Sequence, residues 1–499
     1  MKKEIELSDE VSSFVVSNEQ QVLDLEMVPA DIWGTTAHVL MLKKTGIITS
    51  EVAAKILKAL RDIEEVHRRG EYKIDPGLGA QLTLEKEIVK RAGEQAGLST
   101  HTARSRNDQV MVTELIYLRQ KLPLLIDRLL NTSIALNKLA AQHTETAMPG
   151  YTHMQPGKPT TFAHWCILYS SSFKRVAKKL LGKLKEYDAS PLGSVESFGT
   201  SWNLDRAYTA KLLGFSSVWK LPLDAISHRG YLQCELLQIF ALFGVELTKF
   251  ASDLLLYSTH EYGFIELGDD VAKRLHPITG SSVMAQKRNP DALELLRAHG
   301  AKLLGYPAQA TSLLSNLPCG YNRDSRELKG LISSGIATAH KSLSVIDKVV
   351  SSLCVDSLRM QEIVLASYSL TTDLADAVTQ ETKLPYRLVY KIVGKAVNHL
   401  MEKKQLLTEL TLEMLQDIAV NDFDISLELS ASILEITQSP QKALSRRNNI
   451  GGTSQKATND LLLEEEGELQ VFAEELDHFQ NNIVAAQELT RLEVSSCTG

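Results

Sequence analysis

Four short stretches concentrate the groups that hold carboxylates and move protons. They are "HTARSRNDQ" (101–109), "GYTHMQPGKP" (150–159), "GSSVMAQKRNPD" (280–291) and "CGYNRDSRELKG" (319–330). Guanidinium and ammonium groups bind carboxylates through charge-assisted hydrogen bonds, while hydroxyls and imidazoles relay protons. Taken one at a time, each stretch reads as a solvated loop, Arg104 and Arg106 as surface ion-pairing residues, and His153 as a satisfied structural histidine. Together they say more, because each lies at the boundary of a long helical run, where helix ends leave backbone donors free. Such a set suits a site for an anionic small molecule, built at the ends of a helical bundle.

Spacing excludes other chemistries. His260-Glu261 has no histidine four positions after the first, so there is no HExxH zinc site. Gly77 and Gly79 lack the third glycine and buried strand of a dinucleotide fingerprint, and no GxxxxGK[ST] loop is present. Neither a metal nor a dedicated cofactor is expected. Five scattered cysteines without CxxC spacing fit reduced thiols in a cytoplasm. A formal net charge of -7 argues against a nucleic-acid-binding surface but leaves room for a local basic pocket. The opening "MKKEIELSDEVSSFVV" turns acidic at once and is unlike a signal peptide. The most apolar segment, "LLQIFALFGVEL" (236–247), carries Gln238 and Glu246 and is too short for a membrane span.

The elements that must position these groups are helices. Only 14 prolines interrupt 499 residues. Apolar residues recur at three- and four-residue spacings from Asn107 to Thr144, with a kink expected at Pro123. Similar runs cover 160–188 and 233–261, and a fourth starts near Asp291 with a break expected at Pro307. Strand alternation is scarce. Wide apolar faces on helices this long must bury against one another, which predicts an all-α protein with a central bundle. Shorter helices and a loop at "RRGEYKIDPGLG" precede the bundle; beyond about Asp356 come shorter helices and the turn "RRNNIGGTS" (446–454). The expected division is an N-terminal helical domain over 1–106, the bundle over 107–365 and a C-terminal helical domain over 366–499.

These motifs carry a resemblance. "GSSVMAQKRNPD" is similar to the GSSxMPxKxNP signature of the aspartase/fumarase superfamily, and "HTARSRNDQ" resembles the HT[AG]RSRNDQ element of its argininosuccinate lyase branch. "GYTHMQ", "YNRD" with Lys329, and "RRNNIGGTS" fall in the expected order, so the resemblance spans essentially the whole chain. It implies a three-domain, all-helical protomer and a homotetramer whose active sites are assembled from three subunits. The implied reaction is a reversible elimination that splits an N-substituted aspartate into fumarate and an amine. Argininosuccinate, giving arginine and fumarate, is the family default.

That reaction removes a proton beside a carboxylate, stabilises the charge of the resulting aci-carboxylate and protonates the leaving nitrogen. By motif position Ser281 is the implied base, on a mobile loop pivoting at Gly280, with Lys287 and backbone N–H groups stabilising its anion. Ser282 is its neighbour and the competing serine. Lys287 and Asn289 are implied to hold the succinyl carboxylate. Thr152 and His153 face it from the opposite side with Gln155, and Glu294 orients His153. Arg106 and Asn107 complete the clamp. Either His153 or a water delivers the proton. Thr35, Tyr321, Arg326 and Lys329 complete the implied substrate contacts.

The resemblance thins where the amine half would lie. The branch usually carries E-D-[IV]-H where this chain reads "LGAQLTLEKE" (78–87), with no matching acid and histidine. Arg326 stands five positions after Tyr321, where the branch has glutamine, and a cation is unwelcoming to a guanidinium at close range. Thr35 replaces a serine, Lys158 stands in "GKP" where "AQP" is common, and Ala285 replaces the loop proline. Three readings follow. One is an argininosuccinate lyase. Another is a relative cleaving a different N-substituted aspartate, as ethylenediamine-disuccinate lyase does, with carboxylates of its amine half held by Arg326 and Lys329. The third is a catalytically silent scaffold like the lens crystallins of this branch, although His153, Ser281 and Lys287 are all intact.

Overall fold

The computed structural model describes residues 8–15 and 18–498, so the opening stretch read as unlike a signal peptide lies partly outside the described residues. The N-terminal helices are α1 (Asn18–Lys44), α2 (Ser50–Arg68) and α3 (Gly79–Ala92). The bundle follows as α4 (Arg106–Gln142), α5 (Phe162–Glu186), α6 (Tyr231–Tyr257), α7 (Asp291–Leu314) and α8 (Leu328–Ser352). Shorter helices α9 (Thr371–Thr382), α10 (Tyr386–Glu402) and α11 (Leu412–Phe423) lead to the long terminal helix α12 (Gln455–Thr498). The chain is all-α in class, with strands confined to three two-stranded ribbons among the described residues. None of its described helices is long and apolar enough to cross a membrane.

The start of α4 shows how local chemistry sets a boundary. The Ser105 hydroxyl accepts the Asn107 N–H at 3.2 Å, and the Asp108 carboxylate accepts the Ser105 N–H at 3.1 Å, a reciprocal capping box. From there α4 buries nearly every residue through Arg119, as a helix at the centre of a bundle must. The expected break at Pro307 does not occur, and α7 runs through it to Leu314. Packing explains this: α7 crosses α6 so closely that a Cβ added at Gly244 would stand 2.7 Å from the Gly300 carbonyl. Leu303 and Ala310, buried on either side of Pro307, hold the helix to the bundle across the single N–H that proline lacks.

One core joins the N-terminal helices to the bundle, running from Met27 to Met360 and resuming at Leu462–Ile483 of α12. Leu462, Leu469, Leu476 and Ile483 repeat every seven positions, with Phe472 and Phe479 between them, which is the stripe a helix needs to lie along a bundle. Each such buried side chain contributes about 1.5–3 kcal/mol, so α12 is held mainly by this seam. Lys174 of α5 reinforces it through Glu465 at 2.6 Å and Glu468 at 2.9 Å. A second, smaller core gathers residues between Val364 and Ala443. The segment expected as one C-terminal domain over 366–499 is therefore divided: its first part has its own core, and α12 returns to the bundle. Helical periodicity alone carries no information about which core a helix joins.

Candidate active site

The loop 280–291 stands on a braced neck. The Gly280 N–H donates to the His276 carbonyl at 2.8 Å, the Asn289 N–H donates to the Thr279 carbonyl at 2.8 Å, and Gly280 pairs with Arg288. The Arg288 guanidinium donates to the Ala272 carbonyl at 2.6 Å and to that of Leu267. A Cβ at position 280 would meet the His276 backbone nitrogen at 2.6 Å, so glycine is required by close approach. Above the neck, Ser281 Oγ accepts the N–H groups of Val283 at 3.2 Å and Met284 at 2.9 Å. Residues 282–287, Ser282 and Lys287 among them, are exposed, and Asn289 Nδ2 donates to the Gly280 carbonyl at 3.5 Å. Glu294 lies exposed in the first turn of α7.

His153 sits on an element that sequence reasoning missed. Residues Ala147–Thr152 (β1) and Gln155–Thr161 (β2) form an antiparallel hairpin closed by the pair Thr152↔Gln155. Its two-residue tip is His153-Met154, with φ of 55° and 59°, the left-handed pair that a type I′ turn demands. Neither residue is the glycine or asparagine that adopts this conformation at low cost, and such strain collects at functional sites. Prolines and glycines in "GYTHMQPGKP" masked the strand alternation. Thr152, His153 and Gln155 are all exposed. The turn "RRNNIGGTS" holds the hairpin's base: Arg447 donates to the Pro159 carbonyl at 2.6 Å and grips Asp373 of α9 with bonds of 2.6 and 2.8 Å. Lys158, a departure from the branch pattern, pairs with Asp376 at 3.0 Å and ties the hairpin to the smaller core.

The third component is a cleft at the N-terminus of α4, enclosing about 670 Å³ of space that is partly open to solvent. It gathers Arg106, Asn107, Tyr321, Arg326 and Lys329, five of the residues expected from sequence. Asn107 Nδ2 donates to the Glu196 carbonyl at 3.2 Å. Asp108, behind it, accepts the N–H groups of Gly193 and Val195 at 3.0 Å each, and burial lifts its carboxyl to about 6 against the pull of those donors. Sequence reasoning missed Asp24, Arg229 and Arg323, which also line the cleft. Lys329 Nζ meets Asp24 at 2.7 Å and Glu114 at 3.6 Å, and Arg229 meets Glu114 at 3.0 Å. Burial works to raise the Glu114 pKa, but Arg229 and Lys329 outweigh it and hold the carboxyl below its usual range. A glutamate inside the apolar run "MVTELIYL" was the available signal for this network.

Thr35 requires a correction. It is 0% exposed, so its hydroxyl is not a substrate contact. It accepts from Arg104 at 2.9 Å and donates to Asp31 at 3.4 Å, while Gln109 donates to Asp31 at 2.8 Å. Burial raises the Asp31 pKa despite these partners. Nearby, His38 Nε2 lies 3.0 Å from the Thr102 carbonyl, and burial pushes its pKa down to about 3. This buried network braces the 101–109 stretch on α1. Among the described residues, no hydrogen bond or ion pair joins His153, Lys287 and Glu294 to one another within the protomer. None of the described residues forms a cluster of three or more His, Cys, Asp or Glu able to hold a metal.

A helical bundle with a cleft lined by arginines and a lysine, a braced serine loop and an exposed histidine turn defines a class that comparisons identify. Residues 9–305 match the family described as Lyase, and residues 368–444 match Argininosuccinate lyase C-terminal. Argininosuccinate lyase of Methanocaldococcus jannaschii is 32% identical over 463 residues, 92% of this chain and 91% of that one. The Listeria monocytogenes argininosuccinate lyase is 35% identical over 431 residues, 86% of this chain and 91% of that one. Among solved structures, an EDDS lyase in complex with formate superposes with a TM-score of 0.83 at 25% identity, covering 97% of this chain and 96% of that one. A class II fumarase from Schistosoma mansoni shares the fold, with a TM-score of 0.66 at 17% identity over 84% of this chain and 91% of that one. The chain belongs to the lyase family of the aspartase/fumarase superfamily. Within it, the chain belongs to the argininosuccinate lyase branch.

Proposed function

We infer that the chain is a carbon–nitrogen lyase of the argininosuccinate lyase type, eliminating fumarate reversibly from an N-substituted aspartate. The observation that carries this reading is the Ser281 hydroxyl held under two backbone N–H groups, 3.2 and 2.9 Å away, on a loop that also bears Lys287 and Asn289. Donors aimed at a hydroxyl stabilise its anion more than its neutral form, which makes a serine into a base. Ser281 takes the proton beside the carboxylate. Lys287 and Asn289, with Arg106 and Asn107, meet the charge that develops on the succinyl carboxylates. Thr152, His153 and Gln155 close the opposite side, with Glu294 orienting His153, and the leaving nitrogen is protonated there by His153 or a water. No cofactor takes part in this scheme.

The site is shared in a homotetramer. The exposed hairpin tip and the exposed serine loop support this, because side chains that act together are here each directed to solvent in one protomer. The substrate is a small dicarboxylate amino-acid derivative, with argininosuccinate as the default. A cytoplasmic setting accords with five free cysteines. The test is fumarate release from argininosuccinate and other N-succinyl amines, followed in the ultraviolet. Succinate binding without turnover of any of them would identify a silent scaffold instead. Co-refolding Ser281→Ala with His153→Ala chains checks the sharing: each variant alone is inactive and the mixture regains activity. A mixture that stays inactive while assembling normally would overturn the shared site.

A further inference from the structure

The amine side of the cleft carries a charge imbalance that the elimination itself does not use. Arg106, Arg229, Arg323, Arg326 and Lys329 line it against one carboxylate, Asp24. Asp24 is already occupied, by Lys329 at 2.7 Å and by Arg326 at 3.8 Å. Glu114, in contact with the cleft's cations, is committed to Arg229 at 3.0 Å and Lys329 at 3.6 Å. With both carboxylates counted, and Glu327 acting on Arg326 as well, the cations remain in excess. The succinyl dianion is met by Lys287 and Arg106, which leaves the Arg323–Arg326 pair for an anionic group on the other half of the substrate.

The placement of that pair is specific. Arg323 and Arg326 lie three residues apart on the 3-10 helix Arg323–Glu327, where such positions eclipse and share a face. Both guanidiniums converge on one oxygen, the Val15 carbonyl, at 3.1 and 2.6 Å. Two guanidiniums meeting at one oxygen gather donors that a charged acceptor such as a carboxylate binds more strongly than a carbonyl does. A carbonyl satisfies their N–H groups but is neutral and balances no charge, so a carboxylate competes favourably for the same donors. Burial lowers the Arg326 pKa, and Arg323 adds to this against the opposing pull of Asp24 and Glu327. A guanidinium entering the cleft meets no uncommitted carboxylate among the described residues, and the loop that closes the site adds Lys287, a further cation.

We infer that the amine expelled with fumarate bears a carboxylate and no guanidinium, and that Arg323 and Arg326 receive this carboxylate where the Val15 carbonyl now stands. This rests on the elimination proposed above and replaces its default substrate, argininosuccinate, with another N-succinyl amine. The test uses the full chain and the loss of fumarate absorbance with paired amines: β-alanine against β-alaninamide, and both against arginine. The acid should exceed the amide and arginine in kcat/KM by at least about tenfold, the scale of one charge-assisted hydrogen bond. Arg326→Gln and Arg323→Gln should each shrink the acid-to-amide ratio to within about threefold, mainly through KM. An amide used as readily as the acid, or arginine as the best amine, overturns this inference while leaving the lyase reading intact. Absence of fumarate consumption with every amine, together with no release from argininosuccinate, removes the lyase reading and this inference with it.

Discussion

Replacing Ser281 by alanine tests the proposed base, and the structure sets the scale. Ser281 Oγ accepts two backbone N–H groups, at 3.2 and 2.9 Å. Each such bond favours an alkoxide over an alcohol by about 1–2 kcal/mol, so the pair contributes about 2–4 kcal/mol. At 1.36 kcal/mol per pKa unit this lowers the hydroxyl by about 1.5–3 units. An ammonium about 4 Å away, at an effective dielectric of about 20, adds about 4 kcal/mol, or about 3 units more. Lys287 closing to that range is therefore as important as both N–H groups together. Ser281→Ala should lower fumarate release by about 10⁴-fold, the upper range of a general base. Ser282→Ala should lower it by less than about tenfold, since that hydroxyl has no such donors. Lys287→Met should cost about 10³-fold near neutrality and move the ascending, acid-side limb of the pH–rate profile up by about 3 units, so that its activity recovers at high pH. The assay is initial-rate fumarate absorbance across pH, with circular dichroism to confirm folding. Retention of more than about a tenth of the activity by Ser281→Ala, or an unshifted profile in Lys287→Met, would refute the reasoning.

Other expectations follow from the buried polar groups. Thr35→Val should destabilise the fold by about 1–3 kcal/mol, the cost of leaving Arg104 short of a partner, without raising KM; a KM effect alone would restore Thr35 to the substrate. Glu114→Gln and Arg229→Met should each cost about 3–5 kcal/mol in urea melts, and the double variant should cost clearly less than their sum; additivity would dissolve the proposed network. His38 titrates near 6.5 when unfolded and near 3 when buried, so the fold prefers the neutral ring. Its contribution is intact above pH 6.5 and is lost as pH falls towards 3. That loss is about 2 kcal/mol at pH 5, and His38→Gln should shrink the stability difference between pH 7 and pH 5 by that amount.

What the sequence determined by itself was short-ranged. Apolar spacing disclosed the long helices, and contiguous motif residues such as Gly280, Ser281 and Lys287 identified the chemistry and family. These depend on neighbours within a few positions, so they survive without a fold. What only the tertiary structure decided depends on segments far apart in the chain. Asp24 meets Lys329 across 305 residues, Thr35 is sealed under Arg104, and α12 returns to the bundle instead of joining the smaller core. The hairpin also escaped notice, because its prolines and glycines hide a period-two pattern and its turn residues carry no glycine signal. A charge's partner and a hydroxyl's exposure are set by which surfaces pack together, and packing energy is summed over many contacts that no local spacing encodes.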